Sequence, residues 1–429
     1  MPAQERNCRE QMFSENEKTW AARKARVCRP GSLWPVACSL ISFCLLAAGC
    51  AGGSGSRTAG RSAFWQHDYA AAQKLFAENQ DRADRNYVLY NLEVGSAAFE
   101  GGDYHTARIA FERAAQVMRG YGGGTQGLVS LIANESAKLY KGDPYEQAMA
   151  NFYDGLIYYR WGDWGNARAA FHQALMSDQA SAEGHREDFA VAQFMIGKCY
   201  LKMDEPDNAR ISFEKARAKY PQNPYFSDDA INNHNVLMII GLGRAPLKVP
   251  SGLAGSTDDY ERGRYRETAA NVFANGKPLG QASLAVDLLD QALTSGRSAK
   301  DTIQTIKGGI KTGLVAAGAQ QLADGEGDKK LGSILLLAGL LMPAGADIRN
   351  WDLLPGEIHV LSAKLEPGSY TFRIDFLENS TTLLDYRQVW FHVPVKAEGE
   401  TVLFFRSGRE KANGNLPPPQ SPKFGEAPM

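Results

Sequence analysis

The sequence predicts a mainly α-helical fold: an α-solenoid of stacked helix pairs, then a helical segment, then a small C-terminal antiparallel β-sandwich module. Three segments share one spacing: Gly95, Ala107 and Phe111; Gly155, Ala167 and Phe171; Gly197, Ala209 and Phe213. Each alanine lies twelve residues beyond its glycine and each phenylalanine sixteen, and such fixed offsets mark a repeat. Within 357–407, Tyr370–Phe376 and Val389–Val395 instead repeat apolar side chains with the period of two that strands require. With 429 residues, 44% of them apolar, the chain can bury substantial cores in two or three domains.

The first element is a processing segment. Arg23, Lys24, Arg26 and Arg29 precede an apolar run over 33–46 that contains Pro35 and is too short to span a membrane; small residues follow. Leu46-Ala47-Ala48-Gly49-Cys50 resembles the bacterial lipobox, in which the cysteine is acylated and becomes the first mature residue. The resemblance implies a lipoprotein signal peptide over 1–49 and lipid, palmitate included, on Cys50. Several acyl chains anchor durably where one binds marginally. Ala51, standing where inner-membrane retention uses Asp, implies the outer membrane, facing the periplasm. Glycine and serine over 50–62 predict a flexible tether.

Cleavage before Cys50 removes Cys8, Cys28, Cys38 and Cys44, so Cys199 is left without a disulfide partner or a cysteine metal cluster. It also removes seven basic and four acidic residues, leaving 40 against 44. That balance carries no basic stripe and excludes a nucleic-acid partner.

The repeat region is placed at 63–245. Around the shared offsets stand "GGDYHTARIAFERAA" (101–115), "WGDWGNARAAFHQAL" (161–175) and "MDEPDNARISFEKAR" (203–217). The pattern resembles the tetratricopeptide repeat, with Tyr158 and Tyr200 at its tyrosine position and Pro221 as its closing proline; Ala98 departs from it and the tryptophan is absent. Glycine and alanine allow paired helices to cross closely, and the phenylalanine fills what remains. The turns Gly102-Asp103-Tyr104 and Gly162-Asp163-Trp164 end one helix and start the next. Tyr69, Ala72 and Phe76 keep the spacing, so an incomplete repeat opens the array. Gly95 and Gly155 are 60 residues apart, and the surplus holds a glycine loop (119–127) and an extra helix (128–140). The resemblance implies a concave groove lined by Leu92, Phe99, Phe152, Tyr159, Arg160, Phe194, Lys198 and Lys202. Such a floor binds an extended peptide or a helix with an acidic end; alternatively these residues pack against the next element.

Residues 246–346 read as helical, with stretches at 259–276, 279–296 and 299–325. The apolar run 331–346 is too short to cross a bilayer and reads as a buried helix, membrane contact being the other possibility. In the module 347–408, Tyr370, Phe372, Ile374 and Phe376 share one strand face, as do Val389, Phe391, Val393 and Val395; 400–407 closes the sheet. Residues 409–429 lack apolar periodicity and read as disordered.

Three blocks, 138–171, 243–252 and 346–360, resemble a family of Gram-negative tetratricopeptide envelope lipoproteins often encoded near lipoprotein activators of penicillin-binding proteins. In the last block Ala346, Asp347, Arg349, Trp351, Leu354, Pro355 and Ile358 carry the likeness. It implies a periplasmic lipoprotein with no known catalytic residue and a link to cell-wall synthesis. Asp347, Arg349 and Trp351 either pin the helical half to the β-module or bind a ligand.

The seven histidines show no H-E-x-x-H spacing and no G-x-S-x-G elbow occurs. No cofactor or metal is expected, and Cys199 reads as packing. The expectation is a lipid-anchored periplasmic adaptor without enzymatic activity, its partners envelope proteins. A second possibility is a peptidoglycan-binding or peptidoglycan-acting protein with its site between solenoid and β-module.

Overall fold

The spacing read from the sequence becomes a packing rule in the computed structural model, which describes residues 52–119, 139–177, 189–251, 257–294 and 347–408, with isolated positions between 312 and 336. Helices α1 (Gly52–Trp65), α2 (Tyr69–Ala77), α3 (Tyr87–Glu100), α4 (Tyr104–Arg119), α5 (Pro144–Trp161), α6 (Trp164–Ser177), α7 (Ala190–Lys202) and α8 (Pro206–Lys219) form four helix–turn–helix pairs. In every pair one glycine faces one phenylalanine ring. A Cβ on Gly95, Gly155 or Gly197 would fall 2.5, 2.6 or 2.5 Å from a ring carbon of Phe111, Phe171 or Phe213. A fourth copy stands at Gly60 and Phe76, where the distance is 2.6 Å. Seven residues beyond each glycine the backbone turns left-handed, at His67 (φ 62°), Gly102 (82°), Gly162 (81°) and Asp204 (64°). Asp68, Asp103 and Asp163 then accept the amides of Ala71, Thr106 and Asn166 at 3.1, 3.2 and 3.1 Å, capping α2, α4 and α6.

This fourth copy corrects the expected tether at 50–62. From Gly52 onward that segment is α1, held by specific partners. Arg57 and Arg61 reach the buried Glu93 of α3 at 2.8 and 3.0 Å, and Phe64 and Trp65 enter the core.

Beyond α8 and the short α9 (Asp228–Asn233) the chain becomes β. The strands are β1 (Val236–Leu242), β2 (Leu247–Ser251), β3 (Thr257–Glu261), β4 (Ala269–Ala274), β5 (Lys277–Gln281), β6 (Ser283–Asp287), β7 (Glu357–Ala363), β8 (Gly368–Glu378), β9 (Thr382–Val395) and β10 (Thr401–Arg406), with α10 (Leu288–Thr294) after β6. One sheet has the order β10-β1-β7-β6, the other β5-β4-β8-β9, and β2 pairs with β3. β1 and β10 run parallel, where an all-antiparallel module was expected. A parallel neighbour needs a long crossover, and here nearly the whole second half of the chain supplies it.

Alternation along the strands orders the layers. Leu237 and Ile239 of β1, Ile358 and Val360 of β7, and Val402 and Phe404 of β10 join the core of the helices. Their neighbours Val236, Met238, Ile240, Leu361, Leu403 and Phe405 join a second core with Val272, Phe372, Ile374, Phe376 and Trp390 of the other sheet. The first sheet is therefore a middle layer, and all seven residues of β1 are buried, as a sheet covered on both faces requires.

Two more expectations change. The stretches 259–276 and 279–296 were expected as helices, yet β3 to β6 occupy most of them, and only Leu288–Thr294 is helical. The deciding feature is Asn275-Gly276, both at positive φ (48° and 79°), a hairpin turn between β4 and β5. The strand face expected from Val389, Phe391, Val393 and Val395 is broken: Leu384, Gln388 and Trp390 are buried before the break, Val393 and Val395 after it, and Phe391 is exposed. The register of β8 against β9 shifts there and His392 sits at φ 56°, a bulge that swaps faces. Phe372, Ile374 and Phe376 share a buried face as expected. The signal segment, Cys50, all but Arg119 of the glycine loop at 119–127, all but two residues of the expected helix at 128–140 and the tail at 409–429 lie outside the described residues, as do almost all of 299–325 and 331–346.

Candidate functional site

The eight groove residues come from the inner helices α3, α5 and α7, which are buried around most of their circumference. Leu92, Phe99, Phe152, Tyr159, Phe194 and Lys198 are buried, Arg160 is partly buried and only Lys202 is exposed. An inner helix buried all round must have a covering layer. That layer is the chain's own β-half.

The contacts are specific. The rings of Phe99 and Phe404 lie 4.9 Å apart between centroids. Tyr159 donates its hydroxyl to Glu400 at 2.7 Å, and Lys198 pairs with the other oxygen of Glu400 at 2.7 Å. Both side chains of that ion pair are nearly inaccessible (6% and 4% exposed). Arg160 donates to the carbonyl of Val402 at 2.6 Å, capping the outer edge of β10, and stacks over Tyr104. Phe152 and Phe194 pack against Phe189 and Phe226. The groove expected to hold a partner is thus filled from within. A dry, paired interior of this kind is favourable only while both halves stay together, since a buried charge that loses its partner costs several kcal/mol.

The segment 347–355 adds the second anchor. Trp351 is fully buried against Phe111 and Tyr153 and donates its indole N–H to Ser96 at 2.8 Å. Its backbone amide reaches Glu146 at 2.5 Å. Arg349 pairs with Asp347 at 2.6 Å and donates to the carbonyl of Arg85 and to Asn86 at 3.0 Å. The Asp347, Arg349 and Trp351 cluster therefore pins the β-half to the helices.

An acidic knot sits at the start of α5. Lys248 of β2 lies between Asp143 at 2.5 Å and Asp258 at 3.0 Å, and Tyr260 of β3 donates its hydroxyl to Asp143. Glu146 accepts from Tyr140 at 2.7 Å and from the amide of Asp143 at 2.6 Å. Burial and the Asp143 carboxylate push the Glu146 carboxyl up to about 7, against the pull of Lys248. The coupled charges fix the β2–β3 hairpin to the helix start, and they compensate one another as buried charges must.

Arg406, which the sequence reading left without a role, is 2% exposed and donates to the carbonyls of Gly243 and Leu354 at 2.6 and 2.9 Å. Burial, opposed by its charge, lifts the Glu100 carboxyl to about 7. Glu400 was missed as well; only its place just before an apolar strand marked it. Between Phe99, Phe152, Ile239, Ile358, Phe404 and Arg406 remains a cavity of about 20 Å³, room for one water. Burial pushes the Cys199 thiol up, away from reactivity. Among the described residues no His, Cys, Asp and Glu cluster could hold a metal ion, and no helix is long and apolar enough to cross a membrane.

One family model agrees with the repeat geometry. Residues 191–223, which span α7 and α8, match the family model described as tetratricopeptide repeat. Among the curated proteins nothing matches in sequence. A crystal structure of MamA is similar over 38% of this chain and 74% of its own, at 17% identity and a TM-score of 0.27. A second MamA crystal structure covers 42% and 79%, at 18% and 0.28. A thermophilic TPR protein in Thermus thermophilus covers 41% and 95%, at 17% and 0.21. On motif, packing register and family match together, the helical half carries tetratricopeptide-type repeats.

Proposed function

We propose that the protein is a scaffold that binds other proteins and performs no chemistry of its own, held by acyl chains on Cys50 at the outer membrane and facing the periplasm. Its partners are envelope proteins, in keeping with the implied link to cell-wall synthesis. The observation that carries this proposal is the filled concave face: helices and sheets form one continuous body whose outer helices remain for partners. On that outer side His172, Leu175, Tyr200, Ile211 and Lys215 of α6, α7 and α8 line a depression of about 150 Å³. Ile211 and Met176, 48% and 60% exposed, stand among the large apolar side chains that solvent reaches. The alternative of a peptidoglycan site between solenoid and β-half is disfavoured where Phe99, Phe152, Ile239 and Phe404 meet, since the cavity there has space for one water and a sugar needs far more.

Pull-down from envelopes with the acylated chain, read by mass spectrometry, tests the proposal. A stoichiometric protein partner that is lost in Ile211→Asp, with the fold intact, is the expected result. Retention on purified peptidoglycan alone, with no protein partner, would contradict it. Cys50→Ser should release the protein from membranes, and a wild type that never incorporates labelled palmitate would remove the anchor from the account.

A further inference from the structure

The loop between β3 and β4, "RGRYRET" (262–268), carries three arginines on alternate positions, and the fold uses them unevenly. Tyr265 is its peg. A Cβ on Gly243 would fall 2.4 Å from the Tyr265 ring and one on Gly356 2.6 Å, so the ring is clamped between two backbone segments. Its hydroxyl accepts from Arg262 at 2.8 Å and donates to Glu357 at 3.3 Å. On one side of the peg Arg262 pairs with Asp287 and Glu357 at 2.5 and 3.1 Å. On the other, Arg266 pairs with Glu378 at 2.6 Å. Arg264 between them is exposed and has no acidic partner among the described residues.

Arg264 opens into a cleft of about 270 Å³ that it shares with Arg244, Arg266, Tyr265 and Tyr386. Arg244 is already oriented, its guanidinium 4.3 Å from the Trp65 ring centre. The cleft's acidic members are Glu267 and Asp385. Glu267 is buried and already takes the Tyr386 hydroxyl and the amide of Arg266. At about 30 Å³ per water the cleft holds roughly nine waters. It is thus over ten times the size of the cavity at the helix–sheet interface.

We propose that this cleft binds a small anionic molecule through a phosphate or carboxylate group, with Arg264 as its ligand and Arg244 on the cleft wall adding positive charge. Guanidinium forks match both oxyanions in bidentate geometry. The clamped Tyr265 fixes the backbone on which Arg264 stands and the stacking on Trp65 orients Arg244, so the ordering left to binding is mainly that of the Arg264 side chain. The site lies apart from the outer helices α6 and α8, so it stands or falls independently of the scaffold proposal.

Calorimetric titration of the full chain with inorganic phosphate and with citrate, at matched ionic strength, tests it. Saturable binding of at least one probe, weakened about tenfold or more in Arg264→Ala and unchanged in Arg210→Ala, is the expected result. Arg210 serves as control because it is exposed and paired with Glu214 on α8. Preference for phosphate over citrate assigns the phosphate class, and the reverse preference the carboxylate class. No binding of either probe at millimolar concentration, or binding that Arg264→Ala leaves unchanged while the variant melts like the wild type, overturns the proposal.

Discussion

Replacing Gly155 by alanine tests the packing rule of the helix pairs, because two effects of opposite sign compete. In a helix interior the exchange gains about 1 kcal/mol of backbone propensity. The new methyl group, however, would stand 2.6, 2.7 and 2.9 Å from three ring carbons of Phe171, where carbon atoms prefer about 3.5–4.0 Å. The ring must retreat by about an ångström. Phe171 is 0% exposed and its ring meets Phe152 at 5.6 Å, so the retreat strains a filled core. Overpacking of this kind costs about 1–3 kcal/mol, and the net expectation is a loss of up to about 2 kcal/mol. Gly165 of α6 supplies the control, since nothing lies within 4 Å of its would-be Cβ; Gly165→Ala should be neutral or stabilising. Phe171→Leu should relieve Gly155→Ala, giving a coupling of at least about 0.5 kcal/mol in the double variant. Denaturant titration followed by helical circular dichroism reads all four proteins. If Gly155→Ala stabilises as much as Gly165→Ala and adds simply to Phe171→Leu, the glycine–phenylalanine rule is wrong.

Three further outcomes rest on the same structure. Trp351→Ala should destabilise by about 3–5 kcal/mol, because it empties a fully buried site and takes away the indole N–H that Ser96 accepts, leaving Ser96 its bond to the carbonyl of Leu92; a midpoint unchanged in denaturant would deny that anchor. Glu100 titrates near 7 when folded and near 4.5 when unfolded, so the folded state holds a proton that the unfolded state has released. Its contribution to stability therefore falls as pH rises from about 4.5 through about 7, by at most about 3 kcal/mol, less because the side chain is partly exposed. Glu100→Gln should gain on the wild type across that window in thermal melts, and a pH-independent difference would contradict this. Asp204, held left-handed where two other repeats use glycine, should accept Asp204→Gly with a gain of at most about 1 kcal/mol, whereas a clear loss of melting temperature would show that its side chain matters more than its backbone.

The repeat was legible because its spacing is enforced by contact: glycine, left-handed turn, alanine and phenylalanine recur at offsets of zero, seven, twelve and sixteen. The same offsets include Gly60, hidden because "GGSGSRTAG" has the composition of a linker, and composition says nothing of a ring waiting to fill the gap. The strands at 257–287 were misread because charged residues at helical intervals in "DYERGRYRETAA" outweighed Asn275-Gly276, a two-residue signal. The bulge at Phe391–His392 has no sequence mark beyond an unexpected exposed phenylalanine. The groove residues lie on the inner helices α3, α5 and α7. What covers them could not be read, since Glu400 and Val402 lie some two hundred and more residues away, and no local pattern records a contact of that separation.

The central claim is that the inner face of the solenoid is packed by the same chain. A double-mutant cycle on Lys198 and Glu400 tests it most directly, because the two residues belong to the two halves and pair at 2.7 Å in a buried setting. Lys198→Met and Glu400→Leu should each cost about 3 kcal/mol or more, and together far less than their sum. Costs that simply add, within about 0.5 kcal/mol, would mean the two side chains do not meet and the inner face is open.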